Sequence, residues 1–312
     1  MAGGRRYSGW SIRIDGVTSL RLKLPATSAN LGPGFDALGL AMKLYLEIEA
    51  AEANEFRIAA SGRDAELVGA VERNLMLETY RDLAPGGPAL GLTVRNQIPL
   101  GMGCGSSAAA LLAGVFLANH FGELGMAPEE IVAEACRREG HPDNVAACFY
   151  GGLTASSMTD GRLTAASFGA DLPWRLLLAM PREGLATTKA RALLPEYYTR
   201  EAAVENIQAT ALLVSAFALN RPDLLRTAMQ DRIHQPYRAA VCTLLPLLLP
   251  LAGQSGVLGV ALSGAGPSVL LIVDPASDVD KVVENMRKVS GDAAFSVLET
   301  GISPGCSASI PT

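Results

Sequence analysis

Pro99-Leu100-Gly101-Met102-Gly103-Cys104-Gly105-Ser106-Ser107 is the stretch on which the fold of this chain turns. Its alternate glycines let main-chain N–H groups approach an anion with no Cβ in the way, and the paired serines add hydroxyls suited to a phosphate or a hard cation. Upstream, Leu90, Leu92 and Val94 alternate as a strand does. Downstream, Ala108 to Phe121 holds no proline and a single glycine, Gly114, which favours helix. Strand, glycine loop and helix start in this order put the positive end of a helix dipole behind the loop. They predict a turn that cradles the polyphosphate of ATP.

Two common glycine motifs are excluded. A Walker-type loop needs Gly-Lys-Ser/Thr, but Ser106 follows Gly105 and no lysine occurs from residue 44 to residue 188. A dinucleotide fingerprint needs a third glycine after two spacers and an acid beyond a second strand, whereas Glu123 follows a whole helix directly. The phosphates must therefore be met by main-chain amides, a helix end and a metal ion.

Outward from the loop, Leu20–Leu24 and Leu44–Glu49 alternate as half-buried strands, and 25–36 between them reads as a rigid loop, Pro25-Ala26-Thr27-Ser28-Ala29-Asn30-Leu31-Gly32-Pro33-Gly34-Phe35-Asp36. Pro128 suits the first position of a helix reaching about Arg138, which delivers Glu139-Gly140-His141-Pro142-Asp143-Asn144 at its end. Gly151–Met158 and Leu163–Phe168 form a hairpin about Asp160-Gly161. A second lobe opens with the apolar strand Trp174–Met180. It continues through helices near 203–220 and 224–231, then strands Val257–Leu262 and Val269–Val273 around the glycine turn Ser263-Gly264-Ala265-Gly266-Pro267-Ser268. A helix from about Val279, capped by Ser277 or Asp278, and a strand at Ala294–Leu298 complete it. The class is α+β, with a loose leader at 1–18, a first lobe at 19–170 and a second at 171–312.

The 312 residues suffice for two cores, and 49% apolar with 18% charged residues excludes a disordered chain. Net charge is −5 and the 26 lysines and arginines are scattered, so nucleic acid is an unexpected partner. Five cysteines without CxxC spacing argue against a disulfide framework and for a cytoplasmic setting. The apolar run Leu244–Ala252 is too short to span a bilayer and is broken by Pro246 and Pro250, so no membrane is expected.

The glycine loop resembles the second motif of the GHMP kinases, usually Pro-x-Gly-x-Gly-Leu-Gly-Ser-Ser-Ala, with Cys104 where leucine is customary. Leu24–Asp36 resembles the family's substrate loop, and Ala261–Leu270 its second-lobe glycine turn. Thr27–Gly39, Glu139–Val145 and Asp231–Arg238 look like the homoserine kinase branch. The resemblance implies a two-lobed fold: an N-terminal lobe like the second domain of ribosomal protein S5 and a ferredoxin-like C-terminal lobe. It implies ATP-dependent phosphorylation of the hydroxyl of L-homoserine in threonine biosynthesis, with Mg²⁺ as cofactor and a homodimer as the ordinary assembly. Two alternatives stand beside it: the same chemistry on another small alcohol such as mevalonate or a sugar, and a catalytically silent ligand-binding relative.

By that resemblance Arg191 and Arg238 bind the substrate carboxylate, for which planar guanidinium forks are suited. Asp36 takes the ammonium, and Asn30 and Asn144 hold the backbone and hydroxyl as groups that both donate and accept. Thr187, Gly264 and Gly266 complete the substrate's surroundings. Residues 99–107 wrap the phosphates, with Asn74 beside the adenine. Ser107 and Glu139 take the metal, with Glu134 as the other carboxylate. Asp143 is the candidate base, although relatives have been argued to work without one. His141 and His234 lie in matched segments, where a structural role is the commoner one, and Cys104 suits packing beneath the loop better than a reactive thiol.

Overall fold

A computed structural model of the chain describes residues 19–291 and 293–310; the leader at 1–18 lies outside them. The first lobe has strands β1 (Ser19–Asn30), β2 (Gly34–Glu52), β3 (Arg57–Gly62), β4 (Leu90–Asn96), β5 (Leu153–Thr159) and β6 (Arg162–Phe168). Its helices are α1 (Ala65–Val68), α2 (Leu75–Leu83), α3 (Ser106–Phe121), α4 (Pro128–Glu139) and α5 (Asp143–Tyr150). Strands β1, β2 and β4 pair antiparallel and β3 joins β4 in parallel, while the hairpin β5–β6 attaches to β2 near Leu38–Leu40. The alternation at 20–24 and 44–48 sets Leu20, Leu22, Leu24, Leu44, Leu46 and Ile48 into the core. Against that face lies α3, buried nearly all round because its Ala-rich surface permits close approach.

The second lobe has β7 (Arg175–Pro181), β8 (Val257–Leu262), β9 (Val269–Val273) and β10 (Phe295–Gly301). Its helices are α6 (Thr187–Arg191), α7 (Arg200–Ala218), α8 (Leu225–Ala228), α9 (Gln235–Arg238), α10 (Leu244–Leu248) and α11 (Val279–Ser290). The sheet runs β10-β7-β9-β8, all antiparallel, which with helices between β7 and β8 and between β9 and β10 is the ferredoxin-like order. Asp278 caps α11, its carboxylate accepting from the N–H groups of Asp280 and Lys281.

Three expectations are corrected. Residues 25–30 are not loop: β1 runs to Asn30 and β2 begins at Gly34, leaving a turn of Leu31-Gly32-Pro33. Register shifts at Pro25/Ala26 and Ala29/Asn30 absorb the residues that read as punctuation. A helix at 224–231 shrinks to α8, because Asp231 turns its carboxylate onto the N–H groups of Ile233, His234 and Gln235 and starts α9 instead. The second lobe does not keep every described residue after 171. The chain crosses back after β10, and β11 (Ser307–Ser309) pairs with β1 at Arg21–Lys23, so these residues join the first lobe's sheet.

Candidate active site

Between the lobes lies an open cleft. Its floor is the glycine loop, represented by Gly101, Gly103, Cys104, Gly105, Ser106 and Ser107. Three loop carbonyls are turned outward and tied down: Gly101 O accepts from Leu185 N (3.2 Å), Gly103 O from Ser263 Oγ (2.7 Å) and Cys104 O from Thr27 N (3.0 Å). Gly105 stands at φ 67° as N-cap of α3 with no side-chain cap. The N–H groups of Gly105, Ser106 and Ser107 find no acceptor among the described residues. An uncapped helix start with such amides lining a cleft is a ready anion site.

Next to those amides, Ser107 Oγ donates to Glu139 Oε1 at 2.7 Å. Burial raises the Glu139 carboxyl above its ordinary value, opposed by the Ser107 bond. Glu134 faces elsewhere: Arg137 and Arg138 hold it at 2.6–2.8 Å, and the Arg137 bond leads in lowering its pKa. Of the two carboxylates, Glu139 is the one beside Ser107. This hydroxyl–carboxylate pair of oxygens suits a hard cation.

At the other end, Asp36 and Arg191 form a two-point ion pair, 2.7 and 3.0 Å. Buried Arg238 donates from Nε to Ala190 O (3.3 Å) and from Nη1 to His234 Nδ1 (3.0 Å) and Gly264 O (3.3 Å). Its Nη2 has no partner among the described residues, and the residue lines the cleft. Burial first, then the Arg191 charge, lowers its pKa. Phe35 lies between the two arginines, 5.5 Å from each guanidinium carbon.

The junction of α4 and α5 supplies the rear wall. Asp143 is buried, and its Oδ1 accepts from Asn144 N (2.7 Å) and bonds His141 Nδ1 (2.6 Å). Burial depresses His141, but the bond and charge of Asp143, with the charge of Glu139, outweigh it and leave the pKa raised. Asp36, His141 and Asp143 bring possible ligand atoms within 4.8 Å of one another, yet Asp36 is already paired with Arg191.

Several expected site residues have structural partners. Asn30 lines the cleft, but its Oδ1 accepts Asp36 N and its Nδ2 donates to Gly264 O, both at 3.0 Å. Asn144 accepts Thr27 Oγ1 at 2.7 Å. Asn74 caps α2 and donates to Val68 O; it does not line the cleft, nor do Pro99, Leu100, Met102 and Gly266. Thr187 and Gly264 do line it. Cys104 is buried, which pushes its thiol up to about 12 and removes it as a nucleophile. Phe35 and Thr27 escaped sequence reasoning, and the available signal was their place in the same substrate loop as Asp36. His234 gave a clearer one, since it precedes Arg238 by four residues, one helical turn.

Comparison with known proteins gives the family and the fold. The family model described as the GHMP kinases N terminal domain matches residues 68–152, and that of the GHMP kinases C terminal domain matches 213–291. The homoserine kinase of Solibacter usitatus is 45% identical over 280 residues, covering 88% of this chain and 91% of its own. That of Gloeobacter violaceus is 41% identical over 263 residues, covering 80% and 86%. The crystal structure of homoserine kinase from Cytophaga hutchinsonii superposes with a TM-score of 0.79 at 24% identity, covering 96% of this chain and all of that one.

Proposed function

Because the chain belongs to the GHMP kinase family, in its homoserine kinase branch, we propose that it transfers the γ-phosphoryl group of ATP to the side-chain hydroxyl of L-homoserine, releasing ADP and O-phospho-L-homoserine. The observation that carries this reading is the facing of two ends of one cleft: bare amides beside an oxygen pair at one, two arginines and an aspartate at the other.

The residues fit both the phosphates of ATP and a Mg²⁺ ion. The N–H groups of Gly105, Ser106 and Ser107 receive phosphate oxygens, and Ser107 with Glu139 would hold Mg²⁺, whose chemistry is to neutralise charge on the phosphates. At the far end the substrate's ammonium goes to Asp36 and its carboxylate to Arg191 and Arg238. A zwitterion uses all three charges, whereas a sugar uses none. The new bond joins the hydroxyl oxygen to phosphorus as the bond to the ADP oxygen breaks, and Asp143 takes the hydroxyl proton. A loose transition state asks mainly for alignment, so a held carboxylate suffices.

ADP release measured in parallel with L-homoserine, mevalonate, galactose and L-threonine tests the proposal. Turnover with L-homoserine alone, or far above the others, is expected. Preference for another alcohol moves the substrate assignment, and no release with any of them favours a silent binding protein.

A further inference from the structure

His234 is fully buried and takes no part in the chemistry above, yet it joins the two walls of the cleft's substrate end. Its Nε2 lies 2.9 Å from the carbonyl oxygen of Gly32, in the β1–β2 turn of the first lobe. Its Nδ1 lies 3.0 Å from Nη1 of Arg238, in the second lobe. Only one protonation state serves both contacts. A carbonyl can only accept, so Nε2 carries the proton; a guanidinium can only donate, so Nδ1 is bare. The ring is also packed against Phe35, centroids 5.5 Å apart, and Phe35 in turn meets both cleft arginines.

Position in the chain explains the fit. Helix α9 is a single turn that sets His234 and Arg238 on one face, and Asp231 fixes its start by accepting three successive main-chain N–H groups. Ala190 O, Gly264 O and His234 Nδ1 then hold Nε and Nη1 of Arg238 from three separate segments. Two of these acceptors are also tied across the lobe boundary, the imidazole to Gly32 O and Gly264 O to the Asn30 amide, and the imidazole is the one that is itself a side chain.

We infer that His234 is a positioning residue: as its neutral Nε2–H tautomer, hung on the Gly32 carbonyl, it sets the Arg238 guanidinium for two-point capture of the substrate carboxylate. This rests on the proposed homoserine kinase reading. It assigns His234 no contact with the reacting atoms.

Asparagine and glutamine separate the two halves of the ring. In His234→Asn the amide oxygen falls near Nδ1 and still accepts from Arg238; in His234→Gln the amide nitrogen falls near Nε2 and keeps only the Gly32 bond. The expected result is that His234→Gln raises KM for L-homoserine about tenfold or more and leaves KM for ATP and kcat within about threefold. His234→Asn should stay close to the wild type in all three, although both variants lose a similar amount of thermal stability. In an Arg238→Ala background, His234→Gln should raise KM for L-homoserine no further. Equal rises in both KM values, an Asn variant as impaired as Gln, or full additivity with Arg238→Ala would overturn the inference. Nitrogen-15 NMR of the wild-type imidazole reads the tautomer without turnover. A proton on Nδ1 overturns the inference for any substrate, and an Nε2–H tautomer without homoserine phosphorylation overturns the functional reading instead.

Discussion

Asp36 and Arg191 clasp each other across the cleft, Oδ1 to Nη2 at 2.7 Å and Oδ2 to Nη1 at 3.0 Å, although 155 residues separate them in the chain. Each side chain is about one-third exposed, at 34% and 37%. A pair so open to water contributes roughly 0–1 kcal/mol to stability. In the proposed reading a bound zwitterion brings a matching pair of its own, its ammonium replacing the guanidinium at Asp36 and its carboxylate replacing Asp36 at Arg191. The swap conserves ion pairs, so opening the clasp costs little.

Asp36→Asn should therefore act on substrate and scarcely on the fold. Loss of one charge-assisted contact corresponds to about 10- to 100-fold in KM for L-homoserine. KM for ATP and the melting temperature are expected to stay put. Steady-state kinetics with each substrate varied in turn, alongside a thermal melt, check this, and a fall in melting temperature with both KM values raised would count against it.

The glycine loop offers a contrast between neighbours of equal handedness. Gly101 and Gly103 both sit at positive φ, 69° and 73°, but a Cβ on Gly101 meets nothing within 4 Å, while one on Gly103 runs into the carbonyl oxygen of Ser263. Gly101→Ala should cost only the left-handed strain of an alanine, about 1–2 kcal/mol. Gly103→Ala must also push the second lobe's glycine turn away from the phosphate loop, breaking the Ser263 bond to Gly103 O. Denaturant melts and KM for ATP should rank Gly103→Ala far below Gly101→Ala; parity between the two would show that the loop does not meet that turn.

His234 gives the protein an acid sensitivity of known sign. Burial, the largest cause, lowers its pKa to about 4 against the raising charge of Asp231, whereas an unfolded histidine titrates near ~6.5. Between those values the unfolded chain binds more protons, so this contribution is full above about 6.5 and is lost as pH falls toward 4, at up to ~1.4 kcal/mol per pH unit. Melting temperature measured from pH 7 to pH 4 should fall more steeply for the wild type than for His234→Asn. Parallel curves would remove His234 as the source.

What was legible in the chain was whatever its local chemistry dictates. Residues 101–107 read as a turn that presents main-chain amides because that requires glycine, and α3 follows because 108–121 holds no proline. The β1–β2 connection misled because Pro25, Pro33, Gly32 and Gly34 read locally as loop, while the pairing Ala26↔Met42 to Ala29↔Gly39 that makes 26–29 a strand comes from residues farther on. Strand β11 has only Ser307-Ala308-Ser309 and exists through its register with Arg21–Lys23, nearly the whole chain away. Arg191, Arg238 and Asp36 stand out in the chain only through the family resemblance, and the structure brings all three to one cleft. That Asn30 would be engaged by Asp36 N and Gly264 O, and that His234 would bind Gly32, are consequences of tertiary packing with no trace at sequence range.

Asp143 combines two duties that one substitution can separate. Its Oδ1 fixes Asn144 N and His141 Nδ1 at the start of α5, and an asparagine keeps an oxygen there while losing basicity at the other position. If Asp143 takes the hydroxyl proton, Asp143→Asn lowers kcat by about 10²-fold, leaves KM for L-homoserine within a few-fold and preserves the melting temperature. Near-normal kcat would instead send the proton to a phosphate oxygen, which a loose transition state permits, and would reduce Asp143 to an anchor for α5.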